Sequence, residues 1–235
     1  MFGVQVMNGR LAGTVFATIL AVTVGGCAQS TSEIGTLAVQ ARSVQAPADN
    51  VVPVAATMPA STLPAPVPSG YIGFCARNPD QCGAHPGEAD RVALTAASWA
   101  KILYVNRKVN ADVWAVSDMK HYGREEYWTL PTDGYGDCED FALLKRKILA
   151  EAGLPEAALR IAVVQTPRDV RHAVLTVVTD RGDFVLDNMN DDVLAWNRTG
   201  FVWLERQDPA HPLGWVSLSA PSYALEASAA TGQTP

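Results

Sequence analysis

Basic character is what this sequence has least of. Eighteen Lys and Arg stand against twenty-four Asp and Glu, giving a net charge of -6 at pH 7 with no long basic run. Phosphate backbones and anionic lipid surfaces are gripped by clustered Lys and Arg, so nucleic acid and acidic membranes are poor partners for it. Charged residues of both signs reach only 18%, against 48% hydrophobic. No internal repeat is present. A chain of 235 residues with this balance supports one well-packed domain with extensions, and not two large ones.

Long apolar runs are equally few. LAGTVFATILAVTVGG, after Arg10, has the length of an export signal's apolar core and is short for a membrane span. It ends in VGGC, small residues directly before Cys27, like a bacterial lipoprotein cleavage box with Val24 where leucine is commoner. Residues 1–27 are therefore expected to be an export signal, with Cys27 as a lipid anchor to the outer membrane. The alternative is an ordinary signal peptide cleaved just after Ala28. Either way the periplasm is the expected compartment.

Cysteine is scarce as well: Cys27, Cys75, Cys82 and Cys138. With Cys27 acylated or removed, three remain in an oxidising compartment. Cys75 and Cys82 flank an Asn-Pro-Asp turn and are expected to form a local disulfide. With His85 they would instead supply three ligands to zinc, one short of a structural set. Once they are bridged, Cys138 is an unpaired and therefore candidate reactive thiol.

Helical and strand periods are missing from residues 28 to about 70, where Ala, Ser, Thr and Pro dominate and a flexible tether is expected. The tail, 219–235, has similar composition and is expected to be disordered. The folded domain should span 71–218. Within it, residues 87–110 carry Val92, Leu94, Ala97, Trp99, Ile102 and Leu103 at helical spacing. A second helix should start near Cys138, with Phe141, Leu144 and Ile148 on one face and Lys145, Arg146 and Lys147 on the other. Gly153 and Pro155 would stop it. After that the period changes. LRIAVVQT, HAVLTVVT and DFVLDN are β-branched runs, the last two forming an expected hairpin of 172–179 with 183–188. GFVWLE and GWVSLS add strands. Helices first and strands after make an α+β fold with helices packed on an antiparallel sheet.

The thiol is placed where chemistry is plausible and charge is not. At a helix start the dipole favours a thiolate, and unbonded first-turn N–H groups can receive an oxyanion. His172 opens the hairpin and Asp187 nears the end of its return strand, two or three residues apart in register. A carboxylate could thus orient an imidazole beside the thiol. Yet Asp137, Glu139 and Asp140 surround Cys138. A carboxylate about 8 Å away disfavours the thiolate by roughly 1–2 kcal/mol at effective dielectrics of about 20–40. A helix terminus returns only about 0.3–1 kcal/mol. A divalent cation on the acids would reverse that balance, and hard oxygen ligands favour calcium.

GDCEDFALLKRKILAEAGLP, followed by RHAVLTVV and FVLDNMNDDVLAW, resembles the bacterial transglutaminase-like cysteine proteinase (BTLCP) family, which includes LapG-type periplasmic proteases. The resemblance covers roughly residues 70–205. It implies a transglutaminase/papain-like core and a Cys–His–Asp triad of Cys138, His172 and Asp187, hydrolysing peptide bonds in protein substrates of the cell envelope. It also implies calcium held by Asp137 and Glu139, together with Asp140. A membrane receptor or inhibitor is a further expected partner, which no residue identifies. Two rival functions remain open: an acyltransferase passing the acyl-enzyme to an amine, and a non-catalytic envelope binding domain. Each residue has a plainer reading too. Cys138 could fill a core, Asp137 and Asp140 could cap a helix, and Asp187 could end a strand.

The two N-terminal expectations are separated by mass spectrometry of the exported protein. Lipoprotein processing yields a diacylated or triacylated Cys27, whereas a chain beginning at Gln29 overturns the anchor.

Overall fold

A computed structural model describes residues 51–219, apart from 84, 86 and 212. The expected signal, Cys27, residues 28–50 of the expected tether and the tail beyond 219 lie outside the described residues. Helix α1 spans Ser69–Arg77 and α2 spans Ala96–Asp112. Strand β1 (Trp114–Ala115), helix α3 (Asp118–Tyr122) and strand β2 (Tyr135–Gly136) lead to α4 (Cys138–Glu151). Then come β3 (Leu159–Gln165), β4 (Arg171–Thr179), β5 (Gly182–Asp187), β6 (Asn190–Ala195), β7 (Val202–Gln207) and β8 (Trp215–Ser217). The last six strands form one sheet in the order β6-β5-β4-β3-β7-β8, with every adjacent pair antiparallel. The α+β expectation and the β4–β5 hairpin are both observed.

Local chemistry explains the boundaries. The first long helix starts at Ala96, not 87, because Thr95 and Ser98 form a reciprocal capping box there. Residues before it run extended instead, Val92 bridging to Thr179 and the Leu94 N–H donating to Asp180 Oδ1. Gly153 follows α4 with φ 88°, a left-handed conformation that suits glycine. Cys75 and Cys82 are bridged. That removes the zinc alternative and leaves Cys138 as the free thiol among the described cysteines.

The sheet is covered on both faces. Ile161, Val163, Leu175, Val177, Phe184 and Leu186 pack with Ile102, Val105, Phe141 and Leu149 of α2 and α4. Alternate residues, Ala162, Val164, Val174 and Val185, face the other way and meet Trp203 and Met58. Met58 comes from the stretch expected to be a tether. The Ala55 N–H donates to Arg181 O (2.8 Å) and the Asp183 N–H to Ala56 O (3.1 Å). The Met58 N–H reaches Asp183 Oδ2 at 2.9 Å. Farther on, the Ser217 N–H donates to Leu63 O and the Ala65 N–H to Trp215 O, each at 2.8 Å. A Cβ on Gly182, whose φ is 106°, would lie 2.2 Å from Ala55 O, so glycine is needed for the strap to approach. Residues 51–68 are thus a strap on the domain. Their prolines suppress helix and strand periods without preventing edge pairing, which is why composition alone misread them.

A second correction concerns α4. Lys145 and Arg146 are buried rather than on a solvated face. Arg146 bonds to Glu156 Oε1 (2.8 Å) and to the Gln81 carbonyl, joining α4 to the disulfide loop. Lys147 remains on the outside, paired with Glu151.

If the strap belongs to the fold, Met58→Ala should lower stability by about 2 kcal/mol or more, as other buried large-to-small changes do. Chemical denaturation of the 51–235 chain measures this; an unchanged midpoint would restore the flexible tether.

Candidate active site

Cys138 is the first residue of α4, one residue after the β2 strand that pairs in parallel with β1. Its Sγ accepts the Ala173 N–H at 3.4 Å, which fixes the helix start against β4. The residue before Ala173 is His172. Both side chains line one cavity of about 350 Å3, with Trp128 and Glu126 on one wall and Pro68 and Ser69 on another. The close wall depends on Gly70. A Cβ there would fall 2.1 Å from the Trp128 ring.

His172 is buried, and its Nε2 lies 2.8 Å from Asp187 Oδ1. The same oxygen accepts the Met189 N–H at 3.0 Å, so the carboxylate is held from two sides. The Phe201 ring meets the imidazole edge-on at 5.9 Å. This pairing follows from register. Leu175 faces Leu186, which sets Asp187 diagonally from His172 before β5 turns into β6. With Nε2 engaged, Nδ1 makes no hydrogen bond among the described residues and is the nitrogen left for the thiol. The Sγ itself donates to Glu139 Oε2 at 3.1 Å. Burial, then the charge on Glu139, raises the Cys138 pKa well above that of an ordinary thiol. Without a cation the site holds a thiol, not a thiolate.

The acids add to the effect of burial. Asp137 is the N-cap of α4 but makes no capping bond with its side chain. Its Oδ2 instead accepts the Asp118 N–H at 3.0 Å, so the capping-box alternative fails. Asp140 Oδ1 accepts the Thr129 N–H at 2.7 Å, and Asp118 Oδ2 accepts the Tyr127 N–H. The second oxygens converge without partners: Asp118 Oδ1, Asp137 Oδ1 and Asp140 Oδ2 are buried and make no hydrogen bond. The three carboxylates offer ligand atoms within 4.8 Å of one another. Gly136 makes room for them, since a Cβ would lie 2.7 Å from Asp140 Oδ2. Burial pushes the Asp140 carboxyl up to about 8 and Glu139 to about 9, and it raises Asp118 too. Orphaned, desolvated oxygens on three acids fit a hard divalent cation such as calcium.

The sequence-expected residues are therefore partly regrouped. Cys138 and His172 share a cavity, and His172 and Asp187 are in contact. Asp137 and Asp140 come together with Asp118, which sequence reasoning missed, while Glu139 turns toward the thiol and Asp137. Ser117–Asp118 reads as an ordinary helix start. What brings it beside Asp137 is the long-range pairing of β1 with β2, which leaves no local signal.

A helix that sets its first-residue thiol against an inner strand of an antiparallel sheet, beside a histidine of that strand, agrees with the class to which the family comparison assigns the protein, the transglutaminase-like cysteine peptidases. Within that class the chain belongs to the bacterial transglutaminase-like cysteine proteinase family, BTLCP, whose model matches residues 62–222. Solved structures of LapG from Legionella pneumophila are similar. One shares 25% identity at a TM-score of 0.45, covering 57% of this chain and 76% of that one. An EGTA-treated form gives 25% identity and 0.42, covering 47% of this chain and 63% of LapG. A calcium-bound form gives 20% and 0.42, over 63% and 90%. No curated protein matches.

The raised carboxyls set a sign for stability. Between the ordinary carboxylate value near 4 and about 8, the folded metal-free protein binds more protons than the unfolded chain. Its stability should therefore fall as pH rises through that window. Melting of chelated protein at several pH values checks this, and Asp140→Asn should flatten the slope. A stability that rises with pH across the window would mean the acids are not buried together.

Proposed function

We propose that the protein is an exported cysteine endopeptidase of the cell envelope that cleaves protein substrates through Cys138, His172 and Asp187. The observation that carries this reading is the thiol at the head of α4 in one cavity with an imidazole whose far nitrogen is held by a buried carboxylate. His172 Nδ1 takes the thiol proton and Sγ attacks the scissile carbonyl carbon. The negative oxygen is received by the unbonded backbone N–H of Cys138, where the helix terminus is positive. His172 then gives its proton to the departing amine. Water, deprotonated by the same imidazole, hydrolyses the thioester and regenerates the thiol. Asp187 stabilises the imidazolium and holds the ring in place.

Calcium would be held by Asp118, Asp137 and Asp140, with Glu139 adjacent. Bound there, it would supply positive charge that offsets the carboxylates opposing the thiolate. The periplasm, with a lipid tether at Cys27, is the location proposed for this activity.

Labelling by a thiol-reactive peptide electrophile tests the reading. Cys138→Ala should abolish labelling, and His172→Ala should slow it by about a hundredfold or more, the scale of lost general-base assistance. Chelation should slow it about tenfold for each pKa unit that the thiol recovers. Labelling that is indifferent to His172→Ala would overturn the peptidase mechanism, and indifference to chelation would remove calcium alone.

A further inference from the structure

Glu126 stands on the wall of the Cys138–His172 cavity in a backbone conformation that its residue type does not favour. Its φ is 55°, in the left-handed region that glycine and asparagine enter far more readily. Two neighbours keep it there. A Cβ on Gly70 would fall 2.7 Å from the Glu126 carbonyl oxygen, so the first turn of α1 presses on this backbone. The buried Trp128 donates its indole Nε1 proton to Glu126 Oε2 at 3.1 Å. An exposed carboxylate is thus pinned to the ring that walls the cavity.

Satisfying the indole does not require a charge, since a glutamine side-chain carbonyl would accept the same proton. The charge is also unfavourably placed for the fold. Burial raises the Asp118 carboxyl, and the charges of Asp137 and then Glu126 push it further. Among the described residues no Lys, Arg or His pairs with Glu126. Arg124, two residues away, lies over the Tyr127 ring at 3.6 Å instead. Arg171, also on the cavity lining, is already engaged, its Nη2 donating to Glu205 Oε1 at 3.0 Å. A strained backbone that carries an unpaired charge into a reaction cavity points to something the charge meets from solvent.

We infer that Glu126 is a specificity-determining residue: its carboxylate, fixed on the wall of the Cys138–His172 cavity, receives a lysine or arginine side chain of the protein substrate beside the scissile bond. This rests on the peptidase reading above. Oε1 makes no hydrogen bond among the described residues, and Oε2 makes one. An ammonium or guanidinium brings several N–H donors to such an acceptor, and the bonds are strengthened by charge. An uncharged side chain gains none of this, and an acidic one is repelled. Attraction and repulsion then act together in the choice of substrate.

The test uses the mature chain with calcium present and epoxysuccinyl peptides, which extend in both directions from the carbon that Cys138 attacks. Matched probes carry lysine, norleucine or glutamate at the position next to that carbon, on each side in turn. On one side the native protein should label with the lysine probe about fivefold faster than with norleucine, the scale of a partly exposed ion pair. Glutamate should be slowest. Glu126→Gln retains an acceptor for the Trp128 indole and should bring lysine and norleucine level. Glu126→Lys should put glutamate first. Ratios within each variant are read, so a change in overall reactivity or in folded fraction does not enter. Equal native rates on both sides overturn the inference and leave the peptidase reading intact. A lysine preference that persists in Glu126→Gln, or in Glu126→Lys, does the same. If none of the probes labels Cys138, the peptidase reading fails and takes this inference with it.

Discussion

The structure is organised around an unfavourable event, the burial of four carboxylates where α4 begins. Asp118, Glu139 and Asp140 are almost wholly removed from water, and Asp137 half so. Backbone N–H groups satisfy one oxygen each on Asp118, Asp137 and Asp140. The second oxygen of each of these three has nothing, and desolvation raises Asp118, Asp140 and Glu139, the last two to about 8 and about 9. Such a cluster opposes folding unless it is protonated or neutralised by a cation. The β1–β2 pairing, the glycine at 136 and the start of α4 all serve to hold these groups together. The thiol lies among them, between Asp137 and Glu139, so whatever settles the charge of the acids also bears on the charge of the sulfur.

The other half of the site obeys a different constraint. His172 and Asp187 sit on paired strands whose register is enforced by hydrophobic residues on both sheet faces. A slip by one residue would turn Leu175, Val177 and Leu186 away from the helices. The geometry of the imidazole–carboxylate pair is therefore maintained by apolar packing. That of the acid cluster is maintained by backbone hydrogen bonds.

This difference explains what was legible in the sequence. The hairpin, the helix beginning at Cys138 and the diagonal placement of His172 and Asp187 follow from periods and turn residues, which are local. Asp118 was invisible because its neighbours in space come from a parallel pairing of two-residue strands, too short to leave a pattern. The strap was misread because a proline-rich segment can pair along an edge with no periodic signature. Lys145 was misread for the opposite reason: a run of three basic residues on a helix resembles a solvated face, yet the helix turns two of them inward.

The strap also gives the domain a direction. Its first backbone hydrogen bonds, through Ala55 and Ala56, are with Arg181 and Asp183 at the closed end of the β4–β5 hairpin. His172 and Asp187 occupy the open end. The seven-residue step from Thr179 to His172 along β4 is roughly 23 Å of strand. The strap therefore enters at the end of the hairpin opposite His172 and Asp187, and through Pro68 and Ser69 it finishes on the wall of the cavity that Cys138 and His172 share.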